Sequence, residues 1–179
     1  MVYGSYFEPV PVITGQGMEE IEQMVDGAID FLAPYFNVTQ GMLDDLETFQ
    51  LPTVIIVESG NPFFRPLDNA IGLRDYMKGN NPSVGHEVGH WFHARINPTV
   101  GKSPHDYATG DLLRECIADY SKFLYMTRDT WSNDYPFYLP QLARFSMGEA
   151  ETNREKIKKM HVHILRTITK IYTDAGMRG

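Results

Sequence analysis

The residues that could do chemistry lie together in the segment His86-Glu87-Val88-Gly89-His90, which has the pattern H-E-x-x-H. Each residue of an α-helix advances by about 100°, so a helix would place His86 and His90 on one face, one turn apart. Two imidazoles on one face can converge on a metal ion, and nitrogen ligands suit zinc. Glu87 lies about 100° from His86, which suits contact with a water at the metal better than with the metal itself. The segment therefore predicts a zinc site with Glu87 as general base.

The surrounding sequence predicts the helix that this motif needs. Asn81 is a good N-cap, Pro82 suits the first helical position, and the pair Asn97-Pro98 ends the helix. The face opposite the two histidines is apolar and carries Val84, Val88, Trp91, Phe92 and Ile96. An accidental match to the motif, on a helix whose histidines serve only packing, is the alternative interpretation.

A zinc ion held by two histidines needs a third protein ligand from another element. Some zinc sites extend the motif with a glycine three residues after its second histidine and a third histidine six residues after it. Those positions hold His93 and Ile96 here, so this pattern is absent. His93 lies about 10 Å along the helix from His86, too far to share the ion, so we expect it beside the cleft or on the surface. Glu115 is the better candidate, since a loop and one helical turn after His90 would bring a second helix alongside. One zinc ion per chain, on His86, His90 and Glu115, is the prediction.

Acidic residues form a stripe on that second helix, with Asp111, Glu115 and Asp119 at positions i, i+4 and i+8. Carboxylates at this spacing repel one another on a bare helix, but a neighbouring dication makes them favourable. Glu115 would then be the ligand, and Asp119 would orient a ligand histidine. The alternative is an ordinary acidic solvent face. Cys116 points about 100° away from Glu115, so we expect a small core residue and not a ligand.

The segments HEVGH and ECIAD together resemble the gluzincins, the thermolysin-like branch of the zincin metallopeptidases. Members of that family carry H-E-x-x-H and E-x-x-x-D on two antiparallel helices. The resemblance covers roughly residues 53–126, under half of the chain, and Cys116 stands where many relatives have glycine. It implies zinc bound by His86, His90 and Glu115, with Glu87 as general base and Asp119 hydrogen-bonded to a ligand histidine.

The resemblance also implies a small sheet from residues 53–76 and a tyrosine or histidine that stabilises the oxyanion. We expect an edge strand in the region Asn69–Tyr76 to hold an extended peptide through main-chain hydrogen bonds. Spacing does not choose among the oxyanion candidates, which are His105, Tyr107, Tyr120, Tyr135, Tyr138, His161 and His163. His161 and His163 are two residues apart on a predicted helix and face different directions, so we expect both to be solvent-exposed or core residues.

Hydrophobic periodicity predicts an α+β chain that is mostly helical with a small sheet. The predicted helices outside the motif are Met18–Phe36, Gln40–Phe49, Asp111–Arg128 and Glu149–Thr173, and the predicted strands are Thr53–Ser59 and Asn69–Tyr76. The length of 179 residues indicates one domain. The resemblance implies a zincin-like arrangement of two lobes flanking a zinc cleft, an N-terminal lobe of residues 1–96 and a helical C-terminal lobe of residues 97–179.

Composition limits the partners. The net charge of −7 argues against nucleic acid or an anionic membrane as the main partner. A single cysteine excludes a disulfide framework and a four-cysteine zinc site. We see no signal peptide or membrane-spanning segment, and so expect a soluble cytoplasmic protein. The sequence leaves the oligomeric state open.

The function predicted from these features is zinc-dependent hydrolysis of peptide bonds, with a peptide or protein as substrate. Glu87 would take a proton from the attacking water and pass it to the leaving amine. Two alternatives stay open at this point. One is a catalytically inactive zincin-like module that binds or regulates, and the other is a hydrolase that acts on a non-peptide amide.

Overall fold

The structure, a computed structural model, describes residues 18–45, 49–57, 61–74, 82–97, 112–128 and 138–174. The helices in these stretches are α1 (Met18–Leu32), a 3-10 helix (Ala33–Phe36), α2 (Gln40–Asp44), α3 (Pro82–Ile96), α4 (Leu112–Met126), α5 (Tyr138–Ala143), α6 (Met147–Thr152) and α7 (Arg154–Asp174). The strands are β1 (Thr53–Val57), β2 (Phe63–Arg65) and β3 (Ala70–Arg74). The described chain is mostly helical with a small sheet, which confirms the predicted α+β class.

The predicted helices are present, with shifted ends. The helix predicted to reach Phe36 leaves α-geometry after Leu32, because Pro34 has no N–H to donate, and Asn37 closes the 3-10 turn at a φ of 58°. The helix predicted to reach Phe49 ends at Asp44. The one predicted over Asp111–Arg128 is α4, and its predicted first residue, Asp111, lies outside the described residues.

The last predicted helix, Glu149–Thr173, forms two helices instead of one. It begins earlier, at Met147, because Ser146 and Glu149 make a reciprocal capping box. Asn153 separates α6 from α7, and its side-chain Nδ2 donates to the carbonyl of Glu149 at 2.9 Å. Asparagine side chains compete for backbone groups in this way, which favours a break.

The sheet corrects the prediction for Asn69–Tyr76. The strand order is β1-β3-β2, so β3 is the central strand of the described sheet and not an edge. It pairs in parallel with β1, where Thr53 lies opposite Ala70, and antiparallel with β2, where Phe63 lies opposite Gly72. The reason is the hairpin that the three-residue strand β2 makes with β3. Because β3 has a neighbour on each side, a peptide cannot extend the sheet there.

Side chains in the β2–β3 turn fix the register of this sheet. Arg65 makes a two-pronged ion pair with Asp68, at 2.7 and 2.6 Å. Asn69 has a φ of 52°, and its Nδ2 donates to the carbonyls of Gln50 and Leu51 at 2.8 and 3.0 Å. These bonds hold the start of β3 against the chain that enters β1.

A close approach of α3 to α4 positions the polar motif residues. A Cβ on Gly89 would lie 2.5 Å from Ser121 Oγ and 3.1 Å from the Cα of Ala118. One turn earlier, a Cβ on Gly85 would lie 3.0 Å from the Cβ of Tyr125. Any larger residue at these two positions would push the helices apart, so glycine is what allows their side chains to meet.

The apolar side of α3 packs into the core, as predicted. Val84, Val88, Trp91 and Phe92 are buried, together with the apolar face of α1. The rings of Phe36 and Phe92 stack with centroids 4.7 Å apart. Burial of this face turns the two histidines of α3 toward α4. In the described part of the chain, no helix is long and apolar enough to cross a membrane.

Candidate metal centre

The three predicted ligands come together between α3 and α4. Each of His86, His90 and Glu115 offers one ligand atom, and these atoms all lie within 4.8 Å of one another. The Nε2 atoms of His86 and His90 are 3.1 Å apart. The carboxylate oxygens of Glu115 lie 3.5 Å from His86 Nε2 and 3.4 Å from His90 Nε2. Gly85 lies against Tyr125 and Gly89 lies against Ser121 and Ala118, so the two helices run antiparallel.

These separations are short enough for one metal ion to reach all three side chains. Zinc binds histidine nitrogen and carboxylate oxygen at about 2.0–2.2 Å, so tetrahedral ligands stand about 3.3–3.6 Å from one another. The 3.5 Å distance joins His86 to Oε2 of Glu115, the 3.4 Å distance joins His90 to Oε1, and the histidine nitrogens are 3.1 Å apart. Three protein ligands, two nitrogen and one oxygen, are the set typical of catalytic zinc, whose fourth position is open to water or substrate.

Asp119 orients the first of these ligands. Its Oδ1 accepts a hydrogen bond from Nδ1 of His86 at 2.9 Å. A proton on Nδ1 leaves the lone pair of Nε2 free for a metal, so this contact selects the tautomer that a ligand needs. Burial raises the pKa of Asp119, but hydrogen bonds from His161 and His86 outweigh it and hold the pKa below its usual value. Asp119 therefore makes the hydrogen bond to His86 that the resemblance implies, and its role toward a metal stays a prediction.

The contact of His161 with Asp119 is what sequence reasoning missed, although His161 was named among the oxyanion candidates. Its Nε2 lies 2.9 Å from Oδ2 of Asp119 and its side chain is 16% exposed, so of the two expectations the solvent-exposed one is wrong. A signal was present in the sequence, because His161 shares the buried stripe of α7 with Ile157, Ile164 and Ile168. A polar residue on an apolar stripe predicts a buried partner. His163 is exposed to solvent, which is one of the two positions expected for it.

Glu87 is buried beside the ligands without a hydrogen-bond partner among the described residues. Its side chain is 1% exposed, and Oε1 lies 3.9 Å from His86 Nε2. Burial raises the pKa of Glu87 to about 7, with Glu115 and Asp119 adding to the rise and His86 opposing it. A buried carboxylate whose oxygens accept no hydrogen bond from the described residues fits a role toward a cation and its water.

The charges around the site leave room for a divalent cation. Burial lowers the pKa of Lys122, and the negative charges of Asp119 and Glu87 nearby offset only part of that lowering. With both imidazoles neutral, one ammonium faces the carboxylates of Glu87, Glu115 and Asp119. When all three are ionised, the cluster is two charges negative, which suits a dication.

His93 lies in the core and not at the surface. Its side chain is 0% exposed, and neither ring nitrogen has a hydrogen-bond partner among the described residues. Burial, with smaller contributions from His90 and Arg114, lowers the pKa of His93 to about 3. The expectation of a surface position is therefore wrong. His93 stays a neutral imidazole behind the ligands and is not a member of the ligand group.

Of the remaining residues named from the sequence, two are buried in the described core and four have side chains outside the described residues. Cys116 is a buried core thiol, as expected, and burial raises its pKa to about 12. Tyr120 is buried. The other oxyanion candidates named from the sequence, His105, Tyr107, Tyr135 and the side chain of Tyr138, lie outside what the structure describes. A residue that stabilises the oxyanion stays a prediction.

The chain matches no protein-family model, no curated protein and no solved structure. The gluzincin resemblance therefore depends on two short motifs and on the geometry of the residues within them.

Proposed function

We propose that the protein is a zinc-dependent peptidase with a gluzincin-like site. One observation carries the proposal: His86, His90 and Glu115 converge, and the carboxylate of Glu87 is buried beside them without a hydrogen-bond partner among the described residues. A structural zinc site needs four protein ligands and no base. Three ligands with an adjacent buried carboxylate favour catalysis instead.

Zinc is the metal best supported by the donor atoms, because two imidazoles and one carboxylate match its catalytic sites. Zinc held there supplies Lewis-acid activation of water and of a carbonyl group. The protein would supply the rest. Glu87 would accept the proton of the attacking water and deliver it to the leaving amine.

The wider architecture is part of the same proposal. Antiparallel α3 and α4 bear the H-E-x-x-H and E-x-x-x-D motifs, and this pairing supports a zincin-like fold. In that fold residues 1–96 would form one lobe and residues 97–179 the other, within a single metallopeptidase domain. The zinc cleft would lie between them.

The substrate would be a peptide in an extended conformation. Since β3 is the central strand, the edges of the described sheet are β1 and β2. An extended peptide could add to β2, which neighbours the helix that carries the ligands. Main-chain hydrogen bonds give affinity with little sequence preference, so we expect broad specificity.

Two other functions share parts of this site. A non-catalytic binding module would use the same ligands, but it gives no role to Glu87. A hydrolase of a non-peptide amide would use the same metal and base with a different pocket. Nothing in the described residues favours either one over a peptidase.

The test is cleavage of unfolded proteins and peptide libraries by the full chain loaded with one equivalent of zinc. We expect cleavage that a chelator abolishes and added zinc restores. His86→Ala should lose both zinc binding and peptide cleavage. His163→Ala, which changes an exposed histidine of α7, should keep both. Tight zinc binding without cleavage of any peptide would contradict the peptidase and favour the binding module.

A further inference from the structure

Asp119 accepts hydrogen bonds from two imidazoles that belong to different helices. His86 of α3 donates from Nδ1 to Oδ1, and His161 of α7 lies with Nε2 at Oδ2, both at 2.9 Å. The three side chains are largely buried, with exposed fractions of 17%, 10% and 16% for His86, Asp119 and His161. One carboxylate thus joins a ligand of the metal centre to the C-terminal helix.

The contact with His161 limits how the carboxylate can turn. The terminal torsion of an aspartate is broad, so a single hydrogen bond leaves the plane of the carboxylate loosely defined. A second bond at Oδ2 fixes that plane and keeps Oδ1 in line with Nδ1 of His86. The ring of His86 is then held with Nε2 facing His90 and Glu115.

We infer that His161 is a positioning residue of the metal centre, which acts through Asp119 on His86. The inference rests on the proposed metal site. It adds that the affinity for zinc depends on the docking of α7 against α4, in a region of the chain that supplies none of the proposed ligands.

The packing of α7 fixes the position of His161 against Asp119. Ile157, Ile164 and Ile168 lie on the same stripe as His161, and all three are buried. Their burial fixes the rotation of α7 about its axis, and with it the place of His161. A second contact joins the same two helices, since Nζ of Lys122 lies 5.2 Å from the centre of the Tyr172 ring.

Coupling of this kind is reciprocal. If the docked state of α7 raises zinc affinity, then bound zinc must stabilise the docked state by the same factor. Zinc should therefore slow the hydrogen exchange of α7 amides by more than the general stabilisation of the protein explains. A variant that lacks the His161 contact should lose this extra protection.

The first measurement is the zinc dissociation constant of the full chain, obtained by competition with a chelator of known affinity. His161→Phe keeps a ring of similar size but removes the donor, and we expect about tenfold weaker binding, as for other outer partners of a metal ligand. His161→Gln can present an amide N–H near the position of Nε2, so its affinity should return toward that of wild type. His163→Phe is the control for the same exchange at an exposed site, and should bind zinc normally. Denaturation of each metal-free variant identifies any loss that comes from unfolding.

The second measurement is a double-mutant cycle with Asp119→Ala. Because His161 acts through Asp119, His161→Phe should weaken zinc binding no further once Asp119 is gone. Equal zinc affinity in wild type and a folded His161→Phe would overturn the inference, and so would additive losses in the cycle.

Neither result would affect the proposed peptidase, which depends on cleavage. If the wild-type chain binds zinc but cleaves nothing, the peptidase fails and the positioning role is still decided by the affinities. If it binds no zinc, both fail.

Discussion

Gly89 of α3 lies directly against Ser121 of α4, so that a Cβ on residue 89 would stand 2.5 Å from Ser121 Oγ. Gly89 is one of the two unspecified positions of H-E-x-x-H, and its place in the packing shows why it is small. The close contact carries His90 toward Glu115 and His86 toward Asp119. The candidate metal centre therefore depends on the close packing of this helix pair.

We expect Gly89→Ala to destabilise the protein by about 1–3 kcal/mol, although alanine favours helices, because the added methyl group overpacks the contact with α4. The matched control is Gly27→Ala on α1, where a Cβ would meet nothing within 4 Å. That change should stabilise the protein by about 0.5–1 kcal/mol. Urea denaturation measures both. If Gly89→Ala were as stable as Gly27→Ala, the close approach of α3 and α4 would be wrong.

Metal analysis should find one zinc per chain, because one group of convergent ligands is present in the described residues. Glu115→Ala should lower zinc occupancy, since it removes a ligand. Asp119→Ala should weaken zinc binding by about 10–100-fold as an outer partner of His86. Glu155→Ala, at an exposed carboxylate of α7, should change nothing. A purified chain that stays zinc-free after refolding with zinc would contradict the ligand assignment.

His93 should make the metal-free protein sensitive to acid. Its pKa is about 3 in the folded state and about 6.5 when unfolded, so between these values the unfolded state binds the extra proton. The contribution of neutral His93 to the free energy of unfolding is therefore fully present above pH 6.5, and it is lost as the pH drops from there toward 3. The slope approaches about 1.4 kcal/mol per pH unit for one proton.

His93→Phe removes the group that titrates, so its loss of stability between pH 7 and pH 5 should be smaller than that of wild type. Denaturation at both pH values, compared with His163→Phe at an exposed site, isolates the contribution of His93. The account of His93 as a buried neutral imidazole would be untenable if wild type and His93→Phe lost equal stability across this interval.

The sequence was informative where structure depends on local pattern. The α3 helix follows from Pro82, Asn97 and the apolar back face, and helical spacing alone brings His86 and His90 together. Glu115 was harder to place, since it comes from another helix, and the motif and the acidic stripe of α4 identified it.

Contacts between distant segments could not be predicted in the same way. The contact of His161 with Asp119 spans 42 residues, and only the docking of α7 creates it. The central place of β3 depends on β2, which is three residues long and carries too short a pattern to recognise. The burial of His93 depends on its neighbours in the folded core, which helical spacing does not reveal.

The most direct test of the proposed function is Glu87→Gln, assayed for zinc content and for peptide cleavage in the same preparation. Glutamine keeps the volume and a hydrogen-bonding group but cannot accept the proton, and it leaves all three ligands unchanged. We expect full zinc occupancy and a fall in turnover of at least about 10²–10⁴-fold, the range for loss of a positioned general base. Cleavage by zinc-loaded Glu87→Gln at the wild-type rate would contradict the assignment of Glu87 as the base, and with it the central claim.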